Sequence, residues 1–143
     1  LGTDRIRLVG IDAPELTQVC WDASGAEWPC GRAAHRALAD RVATGSVTCQ
    51  PEGTDRYGRT LARCSIAGED LGAALVGAGL ALARDGYRNE ESAARSAGLG
   101  LWQGRFVDPR RWRDDGPSVD PGAGALESLW TWFRQLTGAR TLR

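Results

Sequence analysis

Residues 5–11, RIRLVGI, alternate in character, with Ile6, Leu8 and Gly10 on one face and Arg7 and Val9 on the other, which predicts a strand. Residues 12–30 show no such period and predict a long loop. In GRAAHRALADRVATG the apolar positions Ala33, Ala34, Leu38 and Val42 form one helical stripe, and Gly45 stands where a C-terminal cap belongs. SVTCQPE and TLARCSIAG predict two antiparallel strands joined by the polar loop GTDRYGR. DLGAALVGAGLALA predicts a small-residue helix suited to close packing. The turn RDGYRN then leads into a helix over EESAARSAGLGLW, with Asn89 as N-cap and Gly98 to Gly100 ending it. The second half of GRFVDPRRWRDDGPSVDPGAG reads as a linker. Beyond it, Leu126, Leu129, Trp130, Phe133 and Leu136 fall on one face of a terminal amphipathic helix.

Strand, helix, two strands and two helices is therefore the predicted order. Three short strands make a poor sheet. The opening LGTDRIRLVG reads as the second half of a β-hairpin with Gly2 to Asp4 as its turn, so a first hairpin, and any targeting segment, is expected ahead of Leu1. Five strands with a helix between the third and fourth make an OB-type barrel. The expected fold is thus α+β, mainly β barrel with helices. Its domain is expected over residues 1–113, a Gly/Pro-rich linker over 114–124 and the amphipathic helix over 125–143.

Charge changes this picture little. The 143 residues carry 18 basic and 18 acidic side chains, which leaves a local basic cleft open but supplies no overall attraction to a polyanion. Every cation except His35 is arginine, a chain-wide bias that identifies no single contact, and His35, without a partner histidine, reads as structural or solvated. Trp21, Trp28, Trp102 and Trp112 read as loop and core anchors. No apolar run is long enough to span a membrane. The four cysteines lack C-x₂-C spacing. Of the three possible pairings, Cys20–Cys30 and Cys49–Cys64 are favoured, which points to an oxidising, secreted or periplasmic setting; four reduced core thiols are the alternative.

The residues suited to chemistry gather in IRLVGIDAPE and in GTDRYGR. Hydrolysis of a phosphodiester needs a base for water, a cation for the anionic substrate and donors for charge growing on the phosphoryl oxygens. Glu15 suits the base and Asp12 is a hard oxygen ligand suited to Ca²⁺. Arg7 and Arg59 carry forked donors for a phosphate. The plainer alternatives are a surface ion-pair network for Arg7, Asp12 and Glu15, a simple hairpin turn for Gly58 and Arg59, and rim packing for Tyr57 and Tyr87.

RLVGIDAPE followed by TDRYGRTLA, with ALVGAGLA and the GLW…F…WR ending, resembles the staphylococcal nuclease (thermonuclease-like) family over roughly residues 5–113. The resemblance implies Ca²⁺-assisted hydrolysis of DNA or RNA, with in-line attack of water leaving a 3′-phosphate. It implies Glu15 as general base, with Arg7 and Arg59 binding the scissile phosphate and stabilising the pentacoordinate state. Asp12 would be a metal carboxylate and Ala13 a backbone-carbonyl ligand. Arg56 and Tyr57 would lie near a terminal phosphate, and Tyr87 would line the base pocket. Asp85 stands where the founding member has another tyrosine, so weaker base stacking is expected. The family's other metal carboxylate belongs to a DGDT-type segment that precedes the Arg7 strand; either that segment lies upstream of Leu1 or this copy is degenerate. The rival function is a catalytically silent module that binds nucleic acid or protein. The terminal helix is expected to dock on the barrel or to support self-association.

Overall fold

The computed structural model describes residues 5–116. The expected linker beyond Gly116 and the terminal helix lie outside the described residues.

Three strands carry the main sheet. β1 (Ile6–Leu8) pairs in parallel with β6 (Thr60–Ile66), and β6 pairs antiparallel with β5 (Val47–Thr54). Two residues, β7 (Glu69–Asp70), extend β6 at its far end. Helix α1 (Cys30–Val42) lies between β1 and β5 in the chain, as the OB-type plan requires. The fold is α+β and OB-like; among the described residues the sheet stays open, with β1 hydrogen-bonded on one side only.

Alternation along β6 decides which face is buried. Ala62 and Cys64 are buried and face a cluster with Leu71, Ile6, Leu8, Val47 and Cys49. Parallel register opposes Leu8 to Ala62 and Arg7 to Leu61. Cys49 lies opposite Cys64, and the two form a disulfide. Cys20 and Cys30, both fully buried, form the other, so the favoured pairings are the observed ones.

Several boundaries differ from expectation. The first strand breaks at Gly10 (φ +80°), where a Cβ would lie 2.4 Å from the Asp85 carbonyl oxygen. The chain resumes as β2 (Ile11–Asp12), antiparallel to β8 (Leu82–Ala83). The loop over 12–30 contains a small hairpin, β3 (Cys20–Trp21) with β4 (Glu27–Trp28). Helix α1 is capped by Ala43 in right-handed geometry, and Gly45 takes no part as a cap.

The small-residue helix is half as long as its composition suggested. α2 (Leu71–Gly77), capped by Asp70, stops before Gly79 (φ +73°), which packs against the Leu99 carbonyl. Leu82 and Ala83, expected to be helical, are β8. Helix α3 (Arg88–Ala97) starts one residue before Asn89; its N-cap is Tyr87, with φ 59°, and Gly98 ends it as expected. After a short 3-10 helix (Gly100–Gln103) comes a fourth helix, α4 (Pro109–Asp115), which the sequence pattern did not predict and whose last two residues fall in the expected linker. Asp108 caps it by accepting from the Arg110 amide, and Pro109 opens its first turn. Trp112 buries α4 against Trp21 and Val107.

Candidate active site

The break at Gly10 turns the chain so that Asp12, Ala13 and Glu15 meet Arg7 around one cleft of about 210 Å³. Ile6, Leu8, Ile11, Leu38 and Leu75 line its apolar part, and Arg113 of α4 lines its rim. A strand and the turn after it thus bring Arg7 and two carboxylate residues to the wall of one opening. Among the described residues the Arg7 guanidinium makes no hydrogen bond or ion pair.

Glu15 is positioned by two elements behind it. The side chain of Gln18, almost fully buried, accepts from the Glu15 amide at 3.1 Å and donates to the Val107 carbonyl at 2.7 Å. From α1, Gly31 comes so close that a Cβ there would lie 1.8 Å from the Glu15 carbonyl oxygen. No residue but glycine fits at that contact without moving the backbone that carries Glu15.

Asp12 is buried, and two arginines answer its charge. Arg113 grips it with both ends of its fork, at 3.0 Å to Oδ1 and 3.2 Å to Oδ2, and donates to Glu15 Oε1 at 2.8 Å. Arg84 donates to Asp12 Oδ2 at 3.2 Å and to Asp108 Oδ1 at 2.6 Å. The bonds to Asp12 and Glu15 raise the Arg113 guanidinium above its ordinary pKa. Asp108, and then Asp12, do the same for Arg84. Burial alone would raise the Asp108 carboxyl, but the Arg84 bond and the Arg110 amide outweigh it and hold the group below its usual range.

Arg59 ends the turn just before β6, two residues ahead of Leu61, the partner of Arg7. It does not line the cleft: its Nε donates to Asp55 Oδ2 at 2.8 Å. Asp55 Oδ1 accepts from the amides of Tyr57 and Arg59, folding DRYGR into a tight turn. The Arg56 and Arg59 guanidiniums lie 4.9 and 5.6 Å from the centre of the exposed Tyr57 ring. Tyr87 is placed elsewhere. Its hydroxyl donates to Asp70 at 2.9 Å and its ring packs on Gly72, which ties it to the start of α2.

Gln18, Arg84, Asp108 and Arg113 were not among the residues singled out from the sequence. Asp108-Pro109 is a helix-start signal that could have located α4. No local signal joins Arg113 to Asp12, 101 residues away.

As for a metal, Asp12 and the Ala13 carbonyl are hard oxygen donors of the kind Ca²⁺ takes. The Asp12–Glu15 pair already holds a cation, the guanidinium of Arg113, so its charge suits one. Among the described residues there is no cluster of three or more potential ligand side chains.

The chain resembles several known proteins. It is 37% identical over 107 residues to the succinoglycan biosynthesis protein ExoI of Rhizobium meliloti, a match covering 70% of this chain and 56% of that protein. It is 29% identical over 116 residues to an uncharacterized endonuclease of Haemophilus influenzae, covering 76% and 60%. It is 34% identical over 130 residues to the protein ParB of Escherichia coli, covering 76% and 66%. The chain thus spans between half and two thirds of the length of these curated relatives. The family described as staphylococcal nuclease homologue matches residues 5–104, from the Arg7 strand through the end of the 3-10 helix. Because that match covers most of the chain and takes in Arg7, Asp12, Ala13 and Glu15 of the cleft, the DRYGR turn and the sheet that joins them, the chain belongs to the staphylococcal nuclease homologue family.

Proposed function

We propose that this protein is a nuclease that hydrolyses phosphodiester bonds of DNA or RNA, with the cleft of Arg7, Asp12, Ala13 and Glu15 as its reaction centre. The convergence of these residues carries the reading. Glu15 takes the proton of the attacking water. Arg7, whose fork is unengaged among the described residues, receives the scissile phosphate and donates to the oxygens on which charge grows. Arg59 reaches the same phosphate from the neighbouring turn, and Asp55 holds its head ready. Arg56 and Tyr57, on the exposed turn, contact a neighbouring phosphate or base. The substrate role the resemblance gives Tyr87 falls to its ring, since Asp70 engages its hydroxyl.

Asp12 and the Ala13 carbonyl are the groups that would hold Ca²⁺, whose chemistry when bound is to polarise the phosphate and neutralise its charge. Gln18 and Gly31 keep Glu15 in place. The two disulfides support a secreted or periplasmic setting. No helix among the described residues is long and apolar enough to cross a membrane.

A second reading, a silent module that binds nucleic acid or protein without cutting, is supported by Arg113, which already pairs with both acids of the cleft. Cleavage assays on the wild-type chain and on Glu15→Ala, each with and without Ca²⁺, separate the two. A base working by proton transfer contributes roughly 10²–10⁴-fold, and the variant is expected to lose that much. Equal cleavage by variant and wild type would remove Glu15 from the mechanism, and no cleavage by the wild type would favour the silent module.

A further inference from the structure

A second concavity, about 450 Å³ and larger than the cleft, lies between β8 and the exposed side of α3. Arg84, Arg88 and Arg95 line it together with Ser92 and Ser96. The α3 residues recur at helical spacing, so one face of the helix presents two guanidiniums and two hydroxyls. The carboxylate in the lining, Glu91, turns one oxygen to the Ala83 amide at 3.0 Å. Arg95 lies 4.8 Å from the centre of the Trp102 ring, which steadies its head, and Arg88 makes no ion pair among the described residues. Forked guanidinium donors beside hydroxyls suit the oxygens of a phosphate diester.

Arg84 joins this concavity to the cleft: it lines one and hydrogen-bonds Asp12 in the other. We propose that the concavity is a second phosphate subsite, which takes a backbone phosphate of the same nucleic-acid strand whose scissile phosphate occupies the cleft. This rests on the nuclease reading of the cleft. The walls are open to solvent, where salt screens the charges, so a free phosphate is held weakly. A phosphate tethered to a strand already engaged next door arrives at high effective concentration, and the subsite serves it best.

The test is binding of a labelled single-stranded oligonucleotide of about twelve nucleotides, long enough to span both sites. The full chain carrying Glu15→Gln, to suppress cleavage, is compared with the same chain carrying in addition Arg88→Gln and Ser92→Ala. Loss of one phosphate contact is expected to reduce the slope of log affinity against log salt by about 0.7 and to weaken binding severalfold at low salt. Binding of a dinucleotide is expected to stay the same. Arg88→Lys should restore much of the slope, because the charge returns without the fork. An unchanged slope and affinity for the longer strand would overturn the subsite. So would inorganic phosphate that binds as tightly as the strand. Cleavage by the unmodified chain is assayed alongside: cutting with an unchanged slope rejects the subsite alone. A changed slope without cutting supports the strand contact and rejects the nuclease reading.

Discussion

Replacing Arg113 by alanine tests whether α4 holds the cleft together. The Asp12 carboxylate is 5% exposed and accepts two bonds from Arg113, at 3.0 and 3.2 Å. Removal leaves Oδ1 without a donor among the described residues, while Oδ2 keeps Arg84 at 3.2 Å. Breaking a wholly buried pair costs about 3–5 kcal/mol. Here the Arg113 side chain is 34% exposed, so water reaches the vacated position and one cation remains. The expected loss is therefore about 1–3 kcal/mol. The contact with Glu15 adds little, because that carboxylate is 41% exposed and such pairs contribute under about 1 kcal/mol. Urea denaturation of wild type, Arg113→Ala, Arg113→Lys and Glu15→Gln measures the ranking. Arg113→Ala should be the least stable, and the lysine variant should recover only part, since an ammonium cannot grip both oxygens. A double-mutant cycle with Asp12→Asn should return a coupling of about 1–3 kcal/mol. A loss below about 0.5 kcal/mol, the range of ordinary surface changes, would refute the reasoning. So would a smaller loss than that of Glu15→Gln.

Other outcomes follow from the same geometry. Gly31→Ala forces a Cβ toward the Glu15 carbonyl, so it should lower cleavage together with stability; a variant with wild-type activity and melting temperature would contradict the close approach. Asp108 has its carboxyl held low in the folded state, so its contribution is present above the unfolded value of about 3.9 and is lost as pH falls from there through the folded value. Asp108→Asn should therefore flatten the fall of stability on acidification, measured by denaturation across that range, and an unchanged acid dependence would argue against the Arg84 pairing. Cys20 and Cys30 are fully buried whereas Cys49 is half-exposed, so dithiothreitol should open Cys49–Cys64 first. Peptide mapping after timed alkylation reads the order, and the reverse order would contradict the burial.

Much of the fold was legible because its signals are local. The stripe of α1, the alternation of β5 and β6 and the polar DRYGR turn between them each need only neighbouring residues to show themselves. The Gly98 cap of α3 was equally plain. α2 was misjudged in length because Gly79 ends it through a contact with Leu99, twenty residues further on and absent from any local pattern. α4 carried a local start signal in Asp108-Pro109, but seven residues are too few to show a helical period, and its end falls in the Pro- and Gly-rich stretch that reads as linker.

For the site, the residue types and spacing in IRLVGIDAPE and TDRYGR were enough to name Arg7, Asp12, Glu15 and Arg59 as candidates and to point to the family. Only the tertiary structure set Arg84 and Arg113 on Asp12, across 72 and 101 residues, or placed the α3 concavity beside them. Period, propensity and turn chemistry act between residues near in sequence, so a sequence displays them directly. Which distant cation answers a buried carboxylate depends on how elements dock, and docking is decided by packing and charge balance over the whole domain.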